Sequence, residues 1–336
     1  MELVKKFIYP NVSKTINSKT INPKTIELKY KEQLKSKALT RILNKIESYD
    51  KIQILYFDKC MIKDRGSVCI GLYLITNTCL KELTIANDSI GTIGLEAIGR
   101  GLQDNSTLEY LNLKNSTLDE IDPIITSLKT NYTLSTLNIS SNYIYNQTYI
   151  LLNDLLSTNS SIRILDISDT AYCEFSFYGC KFFIRNALKT NMHLEELNMS
   201  SNYIDDDTAV LIADTLIVNK TLLKINLCNN SITKIGYNYI INSLKYNKNI
   251  IKIELQSNPI ESNPIESNPI ESELSELHII LKDNYNRNKF WKCPLNLYKF
   301  DKQFCKNIIH LMLYARQYTF IIPNEIWIYI CEFHYK

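Results

Sequence analysis

At 336 residues, 45% of them apolar, the chain can bury a large core, and a net charge of only +3 supplies no overall field to recruit nucleic acid or a membrane surface. Nine scattered Cys with no CxxC pair argue against a disulfide framework and for reduced thiols. The opening MELVKKFIYP lacks an apolar signal core and no later apolar run approaches the ~20 residues a bilayer needs, so a soluble, intracellular and cytoplasmic protein is expected.

Residues 1–27 read as a basic lead-in. The first 48 residues carry 11 Lys or Arg against 4 Asp or Glu, a solvated basic run rather than a nucleic-acid arm. Residues 28–51 are predicted to form an N-terminal capping helix. Leu34, Ala38, Ile42, Leu43 and Ile46 would share its apolar face.

From Ile52 a repeat takes over. The segment LEELNMSSNYI from Leu194 gives the template: apolar residues at positions 1, 4, 6 and 11, and Asn at 9. Position 1 falls on Ile52, Leu80, Leu108, Leu134, Ile162, Leu194, Leu222 and Ile250, in steps of 28, 28, 26, 28, 32, 28 and 28. Positions 4 and 6 are apolar in all eight units, from Leu55 and Phe57 to Ile253 and Leu255, and position 9 is always small or polar. Each unit closes on Leu-x-x-Asn three residues before the next start, as at Leu102/Asn105 and Leu216/Asn219.

The alternation at positions 4 and 6 sends both side chains to one face of a short strand. After position 11 the spacing turns helical: Ile204, Ala209, Ile212, Ala213 and Leu216 form one stripe. The closing Asn suits a left-handed helix C-cap, and an amide at position 9 can satisfy a buried N–H and a buried C=O in the turn. One such unit cannot bury its own apolar face, so the units must stack.

The pattern LxxLxLxxN/CxL with a period near 28 residues resembles the leucine-rich repeat, in its ribonuclease-inhibitor-like subfamily. The resemblance covers 52–284. It implies an α/β solenoid, a horseshoe with parallel strands on the concave face and helices on the convex face. It also implies a binding role, since concave strand residues sit on a rigid row that the core does not need. Position 5 there is Tyr56, Thr84, Asn112, Asn138, Asp166, Asn198, Asn226 and Glu254; position 3 adds Glu82, Tyr110, Glu196, Lys224 and Lys252. The four Asn flanked by carboxylates suit a polar or basic protein surface, or else serve only to solvate the strands.

The unit from Ile162 is four residues longer and carries AYCEFSFYGCKFF. Tyr172, Phe175, Phe177, Tyr178, Phe182 and Phe183 either fill an enlarged core or anchor a partner. In the last unit SNPIESNPIESNPIES occupies 257–272, stretching the final step to 37, and removing two pentads returns it to 27. Pro259, Pro264 and Pro269 exclude helix and central strand, so this is a surface loop, either tolerated or used for docking.

Residues 285–336 leave the repeat and read as a helical C-terminal cap. Within them, Ile322, Pro323, Glu325 and Ile326 match one by one the Leu-Pro-x-Glu-Ile opening of the F-box, which the segment resembles over its first helix only. Pro323, Glu325, Ile326, Trp327 and Ile330 would then dock a cullin-type ubiquitin ligase, or simply seal the last coil. Such truncated tails end repeat proteins of large DNA viruses. The heavy use of Ile, Asn, Lys and Tyr suggests an AT-rich genome.

Catalytic signatures do not emerge. His193, His278, His310 and His334 stand apart, and Cys60 and Cys228 occupy strand or turn positions where a buried thiol packs. No phosphate-binding Gly motif occurs among eight Gly. No metal, no cofactor and no catalytic residue are therefore expected. The function expected is protein–protein interaction, with a substrate adaptor as its sharper form. The rival, implied by the same subfamily, is a GTPase-activating protein; it would need a charge-stabilising residue, commonly Arg, where only Lys224, Lys252 and Arg163 are on offer.

Overall fold

A computed structural model describes residues 25–29, 36–47, 52–117, 121–170, 177–260 and 279–285. The chain divides into two compact units, Met1–Ser267 and Asn268–Lys336. In the second, residues 279–285 are helical, with Asn284 buried.

The first unit is built on a parallel sheet of nine strands in chain order: β1 Thr25–Lys29, β2 Ile54–Asp58, β3 Glu82–Ala86, β4 Tyr110–Asn112, β5 Thr136–Asn138, β6 Ile164–Asp166, β7 Glu196–Asn198, β8 Lys224–Asn226 and β9 Lys252–Glu254. Pairing register repeats the sequence period, with Leu83 beside Leu111, Leu137 beside Leu165, and Leu197 beside Ile225. Every position 4 and position 6 from Leu55 to Leu255 is buried. Those side chains pack under the helices: α1 Ser36–Glu47, α2 Lys63–Thr76, α3 Thr92–Asp104, α4 Asp122–Ser127, α5 Asn146–Thr158, α6 Phe177–Phe183, α7 Asp206–Val218 and α8 Lys234–Leu244. The stripe Ile204, Ala209, Ile212, Ala213 and Leu216 is buried as its spacing requires.

Two sets of side-chain amides bind coils to the ones before: the closing Asn, and at position 9 Asn142, Asn202, Asn230 and Asn258. At position 9, Asn142 Oδ1 accepts from the N–H groups of Ser116 and Thr117, while its Nδ2 donates to the carbonyls of Leu113 and Ile139. Asn230 does the same with Asn202, Ile204, Met199 and Leu227. At the closing position, Asn105 Nδ2 donates to Leu74 and Asn77 carbonyls and its Oδ1 accepts from Thr107 and Leu108 N–H. Asn131, Asn159, Asn219 and Asn247 repeat that pattern. Buried amides so fully used cannot be glycan acceptors in the folded chain, although Asn105 and Asn131 sit in Asn-x-Thr sequons. The sequons arise because the residue two after the Asn closes an Asx turn onto it, as Thr107 and Thr133 do.

Four sequence expectations are corrected. First, β1 precedes the capping helix, which begins at Ser36 and not at 28. Ile26 and Leu28 stand in register with Leu55 and Phe57, so β1 belongs to a further coil. That coil has Pro23 at position 1 and Tyr49 in place of the closing Asn, which hid it from the template. Second, α1 buries Leu39, Leu43 and Ile46, whereas Ala38 is exposed. The stripe at i, i+4 and i+7 runs through 39, 43 and 46, placing 38 beside the seam.

Third, the closing Asn is no left-handed cap. Asn77, Asn105, Asn159 and Asn219 have φ between −82° and −66° and ψ near +130°, an extended backbone that leads straight to the next strand. The left-handed residue comes at position 8 in every coil from Ile52 onward: Lys59, Asn87, Asn115, Ser141, Asp169, Ser201, Asn229 and Ser257, with φ from 48° to 58°. Asn and Asp tolerate that region better than other non-glycine residues. Fourth, Cys228 is half-exposed, its thiol 2.9 Å from Gln256 Oε1; Cys60 is buried as expected.

The long coil absorbs its extra residues in two places. Helix α6 starts at Phe177, three residues later in its coil than α5 or α7 start in theirs. It then passes into a π-helical turn, Ile184–Leu188, which takes up one more residue before the buried Leu188. Phe183 packs in the core with its ring 6.1 Å from that of Tyr149, Phe182 is half-buried, and Tyr178 is exposed. Tyr172 and Phe175 lie outside the described residues. So do the pentads beyond Ile260 and the cap from 286 to 336, with Pro323, Glu325, Ile326, Trp327 and Ile330.

Candidate partner-binding face

Strands three residues long present positions 3 and 5 on the face away from the helices, and burial alternates accordingly in β4 to β8. Tyr56, Tyr110, Asn112, Asn138, Asp166, Glu196, Asn198, Asn226 and Glu254 are all half-buried there, and Glu82 is exposed. Thr84 is the exception: it is 6% exposed and offers a partner almost nothing. Its alternation fails because β3 is buried from Leu83 through Ala86.

The position-5 row has a structural duty that the sequence did not reveal. Asn112, Asn138, Asp166, Asn198 and Asn226 each accept, at 2.9 to 3.1 Å, the N–H of the residue two further on. In three coils the Ser at that place adds its hydroxyl: Ser140 to Asn138, Ser168 to Asp166, and Ser200 to Asn198. These Asx turns steer the chain out of the strand. One half of each amide is therefore committed. The other half remains for recognition at Asn198 and Asn226, whose Nδ2 groups donate to nothing among the described residues.

Charge is distributed unevenly along this face. Lys224 Nζ lies 2.6 Å from Glu196 Oε1, Lys252 Nζ lies 2.9 Å from Glu254 Oε1, and at the rim Lys81 Nζ lies 2.6 Å from Glu109 Oε1. Glu82 and Asp166 have no cation beside them among the described residues. Tyr110, between them, has its hydroxyl pushed above the ordinary value, first by burial and then by the charges of Glu82 and Asp166, against the Asn112 amide that bonds it.

The sequence reading also missed surface residues. Ile54, Thr136 and Ile164 occupy position 3 beside Glu82, Tyr110 and Glu196, and all three are half-buried. Reading position 3 in every coil would have found them. A second surface lies at the strand-to-helix turns of three consecutive coils, where Tyr143, Tyr145, Tyr178 and Tyr203 are 43 to 73% exposed.

The rival GTPase-activating chemistry requires a disengaged cation. Lys224 and Lys252 are held by carboxylates, and Arg163 Nη1 donates to the His193 carbonyl at 3.0 Å. Among the described residues there is no group of three metal-binding side chains, and no helix is long and apolar enough to cross a membrane.

No family model matches the chain. Ribonuclease inhibitor from Sus scrofa is 27% identical over 172 residues, 50% of this chain and 36% of that protein. "NACHT, LRR and PYD domains-containing protein 3" from Rattus norvegicus is 25% identical over 169 residues, 49% of this chain and 16% of that one. With the eight-unit period and the two amide rows in hand, the relationship is plain. The chain is built of leucine-rich repeats and is similar in sequence to part of ribonuclease inhibitor. The match spans about a third of that relative's length. Among solved structures, an internalin from Listeria monocytogenes is 19% identical, with TM-score 0.42, covering 69% of this leucine-rich-repeat chain and 54% of its own. Leiomodin-1 actin-binding site 2 is 17% identical, with TM-score 0.41, covering 50% and 92%.

Proposed function

We propose that the chain is a non-catalytic protein-recognition scaffold that takes its partner on the strand face. The observation that carries this reading is the division of labour within each strand. Positions 4 and 6 fill the core, while positions 3 and 5 hold a rigid row of aromatic, amide and carboxylate groups that the core does not use. Contact residues would be Tyr56, Glu82, Tyr110, Asn112, Asn138, Asp166, Glu196, Asn198, Asn226 and Glu254, to which Ile164 adds an apolar centre. Tyr and aliphatic groups framed by polar ones are the usual composition of an interface core. Kinship with an inhibitor that is named for a protein target supports the same reading.

The F-box-like opening at Ile322 to Ile326 supports a sharper role, a substrate adaptor for a cullin-type ubiquitin ligase. A pull-down with and without residues 320–336 tests it. Ligase components should be recovered with the full chain and lost without the tail. Equal recovery from both, or none from either, removes the adaptor role and leaves the binding face untouched. Alanine at Tyr110 and Ile164 together should lower capture of a strand-face partner at least tenfold.

A further inference from the structure

Among the described residues, the carboxylates of Glu82 and Asp166 have no cation beside them, on a face where Glu196 and Glu254 each have a lysine. Glu82, on β3, lies near the end of the sheet that β1 enters, and Asp166, on β6, just past its middle. Immediately before β1, residues 1–24 carry Lys5, Lys6, Lys14, Lys19 and Lys24 against the single acid Glu2. Three of these lysines recur every five residues, in KTINSKTINPK.

Reach is no obstacle. Glu82 is two strands from β1 and Asp166 five, roughly 10 and 24 Å at ~4.8 Å per strand. From Thr25 back to Lys19 an extended chain spans about 20 Å, and to Lys14 about 36 Å. A tether of that length holds the lysines at an effective concentration on the order of millimolar, so pairs too weak to act between separate molecules still form. Tyr110 stands in register beside Glu82, two strands short of Asp166, and adds a ring face on which an ammonium group can sit.

We propose that residues 1–24 dock on the strand face over β3 to β6, their lysines pairing with Glu82 and Asp166, so that the chain occupies part of its own partner-binding surface. A partner must then displace the lead-in, and binding is tuned by salt and by anything that removes lysine charge. The contact does not depend on the face having an external partner.

Zero-length carbodiimide cross-linking of the dilute full chain, with the linked peptides mapped by mass spectrometry, tests it. Links from Lys14, Lys19 or Lys24 to Glu82 or Asp166 are expected, falling several-fold in ~0.5 M salt. They should vanish in an E82Q/D166N variant. That variant keeps the fold, because Glu82 is exposed and Asn already stands at the position of Asp166 in neighbouring coils. Links between Lys224 and Glu196 and between Lys81 and Glu109 report a folded chain and an active reagent in every sample. If those form while the lead-in links to nothing, the proposal falls. It falls equally if the lead-in reaches Asp154 and Asp214 in the helix layer as often as Glu82 and Asp166, or if yield drops on dilution as links between copies would. Failure of the partner reading shows separately, as a partner whose capture ignores Tyr110 and Ile164.

Discussion

Asp88 occupies the place where Asn142, Asn202, Asn230 and Asn258 stand in later coils. Its Oδ1 accepts the N–H groups of Ser89 and Lys63 at 3.0 and 3.3 Å, as an amide oxygen would. Its Oδ2 is buried with no hydrogen bond, where an Asn would donate from Nδ2 to the preceding coil. Burial therefore pushes the carboxyl above 3.8, overcoming the pull of the N–H groups of Ser89, Lys63, Ile62 and Cys60. Among the described residues no Lys or Arg forms an ion pair with it. A raised carboxyl stabilises the fold below the unfolded value and loses that contribution as pH climbs through the folded value. Asp88→Asn should thus stabilise the chain at pH 7 by about 1 kcal/mol, one net hydrogen bond. The gain should shrink as pH falls from the raised folded value toward 3.8, the ordinary value, and stay small below it. Urea midpoints at pH 7 and pH 3 measure it, and no gain at pH 7 would refute the assignment.

Helix starts show a further device, in which one coil caps the next. Asp206, in the first turn of α7, accepts from Thr233 N–H, Thr233 Oγ1 and Gly236 N–H at the start of α8. Asp64 likewise accepts the N–H groups of Gly91, the N-cap of α3, and Gly94 in its first turn. Here glycine is needed for approach: a Cβ on Gly236 would come within 2.5 Å of Asp206 Oδ1 and 2.8 Å of Ala209 Cβ. Ala normally improves a helix interior over Gly by about 1 kcal/mol. Gly236→Ala should instead destabilise by about 1–2 kcal/mol, since it forces out a cap of that worth. Chemical denaturation of Gly236→Ala and Asp206→Ala decides the matter; a stabilised Gly236→Ala would dismiss the close approach. Asp205 caps its own helix differently. Burial would raise its carboxyl, but the Thr208 hydroxyl and N–H and the Lys181 ammonium outweigh that and hold it below the ordinary range. That contribution is present above the ordinary value and lost as pH falls through the lowered one. The crossing caps of Asp206 and Asp64 were not legible beforehand, because a cap that crosses from coil to coil leaves no local signature in either.

For the whole first unit, the period alone sufficed for strand order, register and core, since every apolar position 4 and 6 has one destination. What stayed hidden were features with no apolar marker: β1, whose coil lacks the Leu and Asn landmarks, the left-handed position 8, and the turn duty of the position-5 amides. The candidate face was legible as a row of positions but not in its charge balance, because Lys–Glu pairs join neighbouring strands 28 residues apart. Nine strands sharing two amide rows should unfold as one body. Asn142→Leu strips the buried N–H and C=O groups of Ser116, Thr117, Leu113 and Ile139 of their partner and should cost about 3 kcal/mol. Fluorescence and circular dichroism should still lose structure together. Separate transitions would mean that the sheet is two cooperative blocks.

The asparagine rows carry one more implication. At the closing position, Asn131, Asn159, Asn219 and Asn247 each donate back one coil to the carbonyl of the preceding closing Leu, so the seams along that row are chemically alike. Excising or duplicating an internal coil would rejoin matching seams, and a lineage carrying this design could lengthen or shorten its binding surface by recombination without first inventing new contacts.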